Sequence, residues 1–276
     1  MSSTILIERQ GSVGYLVLNR PAKLNSITEK MVTDFGLALS ELESDPDVRV
    51  IVVRGAGTSF CTGYDLDESI DAFLRLGLEE DLEWIEWQEQ TFEQLWRCKK
   101  PTIAQVHGYC YAGGGIVAGF CDIIVAADDA QFGQTQRIGY PPELCLWPIT
   151  IGPRKTKELL FAGASVSGTQ AHEMGMVNHA VPLDELEGFV QKLAGEIALT
   201  DPQILRYQKR LINQIYDQMG FREMINAGVL MDVLGHRSNA MQNFVRVRDE
   251  QGLRAAISLR THSPDKRPDP STTADS

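Results

Sequence analysis

VRVIVVRGAGTSFCTGYDL, residues 48–66, and PTIAQVHGYCYAGGG, residues 101–115, decide the reading of this chain. Each opens with a strand-length run of apolar residues and ends in small residues and glycines. Glycine has no Cβ, so backbone N–H groups at such strand ends can approach a ligand closely. A helix starting after Gly113 adds its positive dipole end to those donors. Two such amides can bind an oxygen on which negative charge develops, as in an enolate. A GGG run alone is usually only a tight strand-to-helix turn, so it is the pair of strand ends that points to a site.

Outward from these segments, residues 5–9 and 14–18 alternate around Gln10-Gly11-Ser12 and predict a β-hairpin. Ile27, Met31, Phe35, Leu39 and Leu42 recur at helical spacing over 27–44, and Asp45-Pro46-Asp47 stops that run. A Glu-rich, Trp-containing segment from Asp67 to Cys98 predicts one long helix, and DIIVAADD predicts a further buried strand. The layout is a repeated strand-strand-helix, so the class is α/β. After Gly163 the pattern is almost wholly helical, over 182–199, 202–218 and 221–246, as in a cap or oligomerisation segment. The expected division is a core over 1–195, a helical region over 196–260 and a flexible tail over 261–276, whose Pro, Ser, Thr and Asp give it little to bury.

Lys plus Arg number 26 against 37 Asp plus Glu, a net charge of -11 that disfavours nucleic-acid or anionic-membrane partners. No run of 18 apolar residues and no leader-like start occur, and the expected location is the cytoplasm. Five cysteines without CxxC spacing suggest reduced thiols rather than disulfides or zinc. His107, His172, His179 and His262 have no partner at metal-ligand spacing, so no metal is expected; His236 lies in GHRSNA, within the C-terminal helical region.

Asn19-Arg20-Pro21 with Asn25-Ser26, FCTGYDL, PTIAQVHGYCYAGGG, CDIIVAADDAQFG and AHEMGMVNHAV together resemble the crotonase (enoyl-CoA hydratase/isomerase) superfamily, from about residue 4 to about residue 255. The resemblance implies a spiral of strand-strand-helix turns with a C-terminal helical trimerisation region, and a homotrimer or dimer of trimers. It implies an acyl-CoA thioester substrate in fatty acid or other carboxylic acid catabolism. No separate cofactor is implied, because coenzyme A arrives with the substrate. By position, the family's oxyanion-hole amides fall on Tyr64 and Gly113. Leu24, Ser26, Thr62, Asp65 and Leu66 fall in the segments that line the coenzyme A arm, and the basic run Gly152 to Lys157 is a candidate for its phosphates.

The chain departs from the hydratase pattern at both catalytic glutamates, where it has Ile116 and, in FGQTQ, Gln136. Adding water to an enoyl thioester requires groups that take and deliver protons; isoleucine can do neither, and an amide cannot accept the proton. A carboxylate remains in Ile138-Gly139-Tyr140-Pro141-Pro142-Glu143-Leu144, a segment similar to one that carries the acid/base glutamate in peroxisomal-type Δ3,Δ2-enoyl-CoA isomerases. The same slot holds an aspartate in related dehalogenases and C–C bond hydrolases. The resemblance therefore implies a double-bond isomerase with Glu143 as acid/base. The alternatives are a hydratase with a substitute base, a C–C or thioester hydrolase using Glu143, and a catalytically silent acyl-CoA-binding protein.

Overall fold

The computed structural model describes residues 3–134 and 146–261. The expected hairpin is present as β1 (Ile5–Gln10) and β2 (Val13–Leu18), joined through Gly11 at φ 58. Thr28 caps the helix α1 (Glu29–Ser44) by accepting from the Met31 N–H, and Met31, Phe35, Leu39 and Leu42 form its buried stripe. β3 (Val50–Gly55), β4 (Thr102–Val106), β6 (Ile123–Ala127) and β9 (His179–Val181) complete a six-stranded sheet in the order β1-β2-β3-β4-β6-β9. Within it only the β1–β2 pair is antiparallel. β2 is buried along its whole length, as expected of a strand covered on both faces. A second sheet of three short strands, β5 (Tyr109–Tyr111), β7 (Gln131–Gly133) and β8 (Ser165–Ser167), lies in the order β5-β7-β8. This is the mixed α/β architecture expected.

Three details differ from the sequence expectation. The segment 67–98 is two helices, α2 (Leu66–Phe73) and α3 (Leu78–Arg97). Gly77 in extended conformation breaks it, and the Glu80 carboxylate accepts the Gly77 N–H at 2.8 Å to start α3. The segment 221–246 also splits, into α10 (Phe221–His236) and α11 (Asn239–Gln251), because Ser238 Oγ caps the Met241 N–H at 3.1 Å. Beyond Gly163 the chain still supplies β8 and β9, three residues each and too short to show a period.

Between these lie α4 (Gly113–Gly119), α5 (Trp147–Thr150), α6 (Gly152–Ala162), α7 (Gly168–Glu173), α8 (Leu183–Ala198) and α9 (Pro202–Gln218); α12 (Leu253–Thr261) closes the described chain. α9 buries no residue and exposes Ile204, Tyr207, Leu211, Ile212 and Ile215, with Met219 exposed just beyond it. Its other side is tied down by Lys209, which pairs with Asp122 at 2.8 Å, and by Asn213 Nδ2, which donates to the Trp96 carbonyl. No helix among the described residues is long and apolar enough to cross a membrane.

Candidate active site

The two segments that end in glycine lie side by side. Phe60 N–H donates to His107 O, Cys61 N–H to Tyr109 O and Tyr111 N–H to Cys61 O, at 2.8, 2.9 and 3.0 Å. This ladder brings Gly63 onto the Ala112-Gly113 turn. A Cβ on Gly63 would lie 2.8 Å from Ala112 Cβ and 3.3 Å from Gly113 N, and one on Gly114 would lie 2.5 Å from Cys61 O. These glycines are required by close backbone approach rather than by turn type alone.

Tyr64 is set by its neighbours. Ile27 N–H donates to Gly63 O and Asp65 N–H donates to Ile27 O, both at 2.8 Å. On the other side Gly113 is the first residue of α4, so its N–H has no acceptor within the helix. Ala112, just before it, holds φ 48 and ψ −123, a strained conformation for a residue with a Cβ that costs on the order of 1–3 kcal/mol. It is buried, and its N–H donates to Gly133 O. The segments carrying the two expected oxyanion donors are thus packed against each other.

The segment expected to line the coenzyme A arm is built from a single 3-10 turn, Pro21–Lys23, followed by Leu24 and Asn25 at φ 49 and 56. Asn25 is fully buried: its Oδ1 accepts the Arg20 N–H, and its Nδ2 donates to Ala56 O and Ser59 O at 2.9 and 2.8 Å. Arg20 donates to Ser26 and pairs with Asp65 at 3.0 Å, and Thr62 N–H donates to Leu24 O. Leu24, Ser26, Thr62, Tyr64 and Asp65 are therefore one connected unit, with Leu66 opening α2 behind it. Arg20 and Asn25 hold that unit together, although the sequence reading used them only as motif letters. The left-handed tolerance of asparagine was the available signal.

Ile116 is buried one turn into α4 and packs in the main core, an apolar side chain at the position where the hydratase pattern has a carboxylate. Gln136 and Glu143 lie outside the described residues, as do Cys145 and His262. Cys61, Cys98, Cys110 and Cys121 are buried thiols. Burial pushes Cys61 up to about 12 and Cys98 up to about 11, so neither supplies a thiolate nucleophile near neutral pH. His236 is not part of the oxyanion unit; it is locked against Asp81 and stacked on Phe73 at 4.2 Å. In the basic run, Lys155 pairs with Glu158. Among the described residues no group of acidic, histidine and cysteine side chains could hold a metal.

The enoyl-CoA hydratase/isomerase family model matches residues 8–251. The chain belongs to that family. It is 30% identical over 269 residues to a hydroxycinnamoyl-CoA hydratase-lyase of Pseudomonas fluorescens, covering 92% of this chain and 95% of the relative. An enoyl-CoA hydratase/isomerase from Xanthobacter autotrophicus Py2 superposes with a TM-score of 0.89 at 31% identity, over 98% of this chain and 100% of its own. An enoyl-CoA hydratase from Mycobacterium smegmatis superposes at 0.87 with 29% identity, over 93% and 92%. The family is one of acyl-CoA enzymes with the crotonase fold, and in this chain the Gly63 and Gly113 turns lie against each other.

Proposed function

We propose that the chain is an acyl-CoA double-bond isomerase. The Tyr64 and Gly113 N–H groups donate to the thioester carbonyl, a base removes a carbon-2 proton, the enolate is held by the two amides, and the same group returns the proton at carbon 4. Glu143 is the proposed acid/base. The observation that carries the reading is Ile116, an apolar side chain buried in the main core one turn beyond Gly113. Chemistry that needs two proton-handling carboxylates is disfavoured beside it, whereas one carboxyl group suffices for a proton shuttle. An apolar wall also raises the pKa of a nearby carboxyl toward the working pH.

Hydration is the second reading, favoured by relatives named as hydratases. Product analysis separates the two: an isomerase converts a 3-enoyl-CoA to its 2-enoyl isomer, and a hydratase releases a 3-hydroxyacyl-CoA. In Glu143→Gln the isomerisation rate should fall by the ~10²–10⁴-fold typical of losing a positioned acid or base, with acyl-CoA affinity little changed. An unchanged rate removes Glu143 from the mechanism.

The exposed apolar face of α9 supports assembly as a homotrimer or dimer of trimers through the C-terminal helices. The cytoplasm remains the proposed location.

A further inference from the structure

Away from the oxyanion turns, buried charge gathers where α10 packs against α3. One end of this seam is well paired. Asp81 is fully buried and sits 3.1 Å from both His236 Nδ1 and Arg237 Nη2. Arg237 also donates to the carbonyls of Phe73, Leu76 and Gly77, which staples the end of α10 to the corner between α2 and α3.

Further along the seam the pairing stops. Glu89 on α3 and Asp232 on α10 are each only 5% exposed, and Glu89 Oε1 and Asp232 Oδ1 have no hydrogen-bond partner among the described residues. The second Asp232 oxygen is 3.9 Å from His236 Nε2. Ile85, Val229 and Val233 form an apolar cluster between the same two helices. The surrounding charges are otherwise engaged. Glu93 pairs with Arg97, Glu29 of α1 accepts from the Trp84 indole, Asp34 binds Lys30, Asp71 of α2 pairs with Arg248, and Lys209 of α9 pairs with Asp122. α4 has no ionisable side chain, and Asp217 of α9 brings no cation. Two desolvated carboxylates with no dedicated cation cannot both ionise cheaply.

We propose that Glu89 and Asp232 form a proton-held latch that keeps α10, and with it α11 and α12, docked on α2 and α3. A protonated carboxyl at either position is neutral, whereas an ionised one leaves a buried charge without a dedicated cation in an apolar seam. α2 begins two residues after Tyr64, so the latch bears on the helix that follows one oxyanion donor.

Burial, reinforced by the Asp232 charge, pushes Glu89 up to about 8, and burial pushes Asp232 up to about 7. Both folded values lie above the ordinary carboxyl range near ~4. The native state therefore binds more protons than the unfolded chain between those limits, and the stabilisation falls as pH rises through about 7 to 8.

The test compares the full-length wild type, Glu89→Gln and His236→Gln by amide hydrogen exchange, corrected for intrinsic pH dependence. Wild-type protection of α10–α12 should fall at least ~10-fold between about pH 6 and about pH 9, the equivalent of one unit of pKa difference. Glu89→Gln should flatten that dependence. The same dependence in Glu89→Gln, or its loss only in His236→Gln, overturns the proposal. Infrared spectroscopy of the wild type gives a check that needs no variant: a protonated-carboxyl band should persist near about pH 6.5 and vanish near about pH 9, and its absence at the lower pH also overturns the latch.

Discussion

The glycine turns proposed as the oxyanion hole and the α3–α10 seam are both buried and both polar, yet they are held in opposite ways. The turns are fixed by backbone. Gly63, Ala112, Gly113 and Gly114 lie within contact distance of the opposing chain, and the paired N–H and C=O groups leave no room for a Cβ at Gly114. The seam is fixed by side chains, and part of it is left unpaired. A site made of backbone is sensitive to volume and indifferent to pH. A site made of buried carboxyls is sensitive to pH.

The largest expected effect is Gly114→Ala, whose new Cβ would meet Cys61 O at 2.5 Å, Cys61 Cβ at 2.9 Å and Cys61 C at 3.0 Å. Backbone cannot yield as a side chain tip does, so denaturant unfolding should show a loss of about 3 kcal/mol or failure to fold. Its deficit should be the same at about pH 6 and about pH 9, whereas the effect of Glu89→Gln should change between them. A pH-dependent deficit in Gly114→Ala would erase the distinction between the two regions. Next is Asn25→Ala, which strands the Arg20 N–H and the Ala56 and Ser59 carbonyls and places alanine at φ 56. A loss of about 2–3 kcal/mol is expected from the unpaired buried groups, accompanied by weaker acyl-CoA binding. The smallest is Gly188→Ala in α8, where a Cβ meets nothing within 4 Å. It should stabilise the protein by about 0.4–1 kcal/mol, because only the unfolded chain loses freedom.

The same contrast explains what the sequence made legible. Strands β1 to β4 and β6 carry apolar runs or alternation, and the two closely packed turns carry glycines, so a linear reading finds both elements. The breaks at Gly77 and at Arg237-Ser238 were hidden because each is a local cap inside a longer helical period. β8 and β9 are three residues long and gain their identity only from pairing with β7 and β6. Glu89 sits in a run of glutamates that resembles a solvated helix face, and Asp232 lies far along the chain; only the packing of α10 on α3 buries both in one seam. Arg20 and Asn25 were visible as letters, but their role depends on carbonyls at Ala56 and Ser59 that no local pattern announces.

Solvent exchange at carbon 2 tests the central claim most directly, because it needs only the two amides and one base and is independent of where the proton finally goes. A saturated acyl-CoA incubated with the protein in deuterated water should exchange its carbon-2 protons, and the rate should fall by ~10²–10⁴-fold in Glu143→Gln. Absence of exchange with every one of several acyl-CoAs shown to bind would contradict enolate chemistry at the Tyr64 and Gly113 amides.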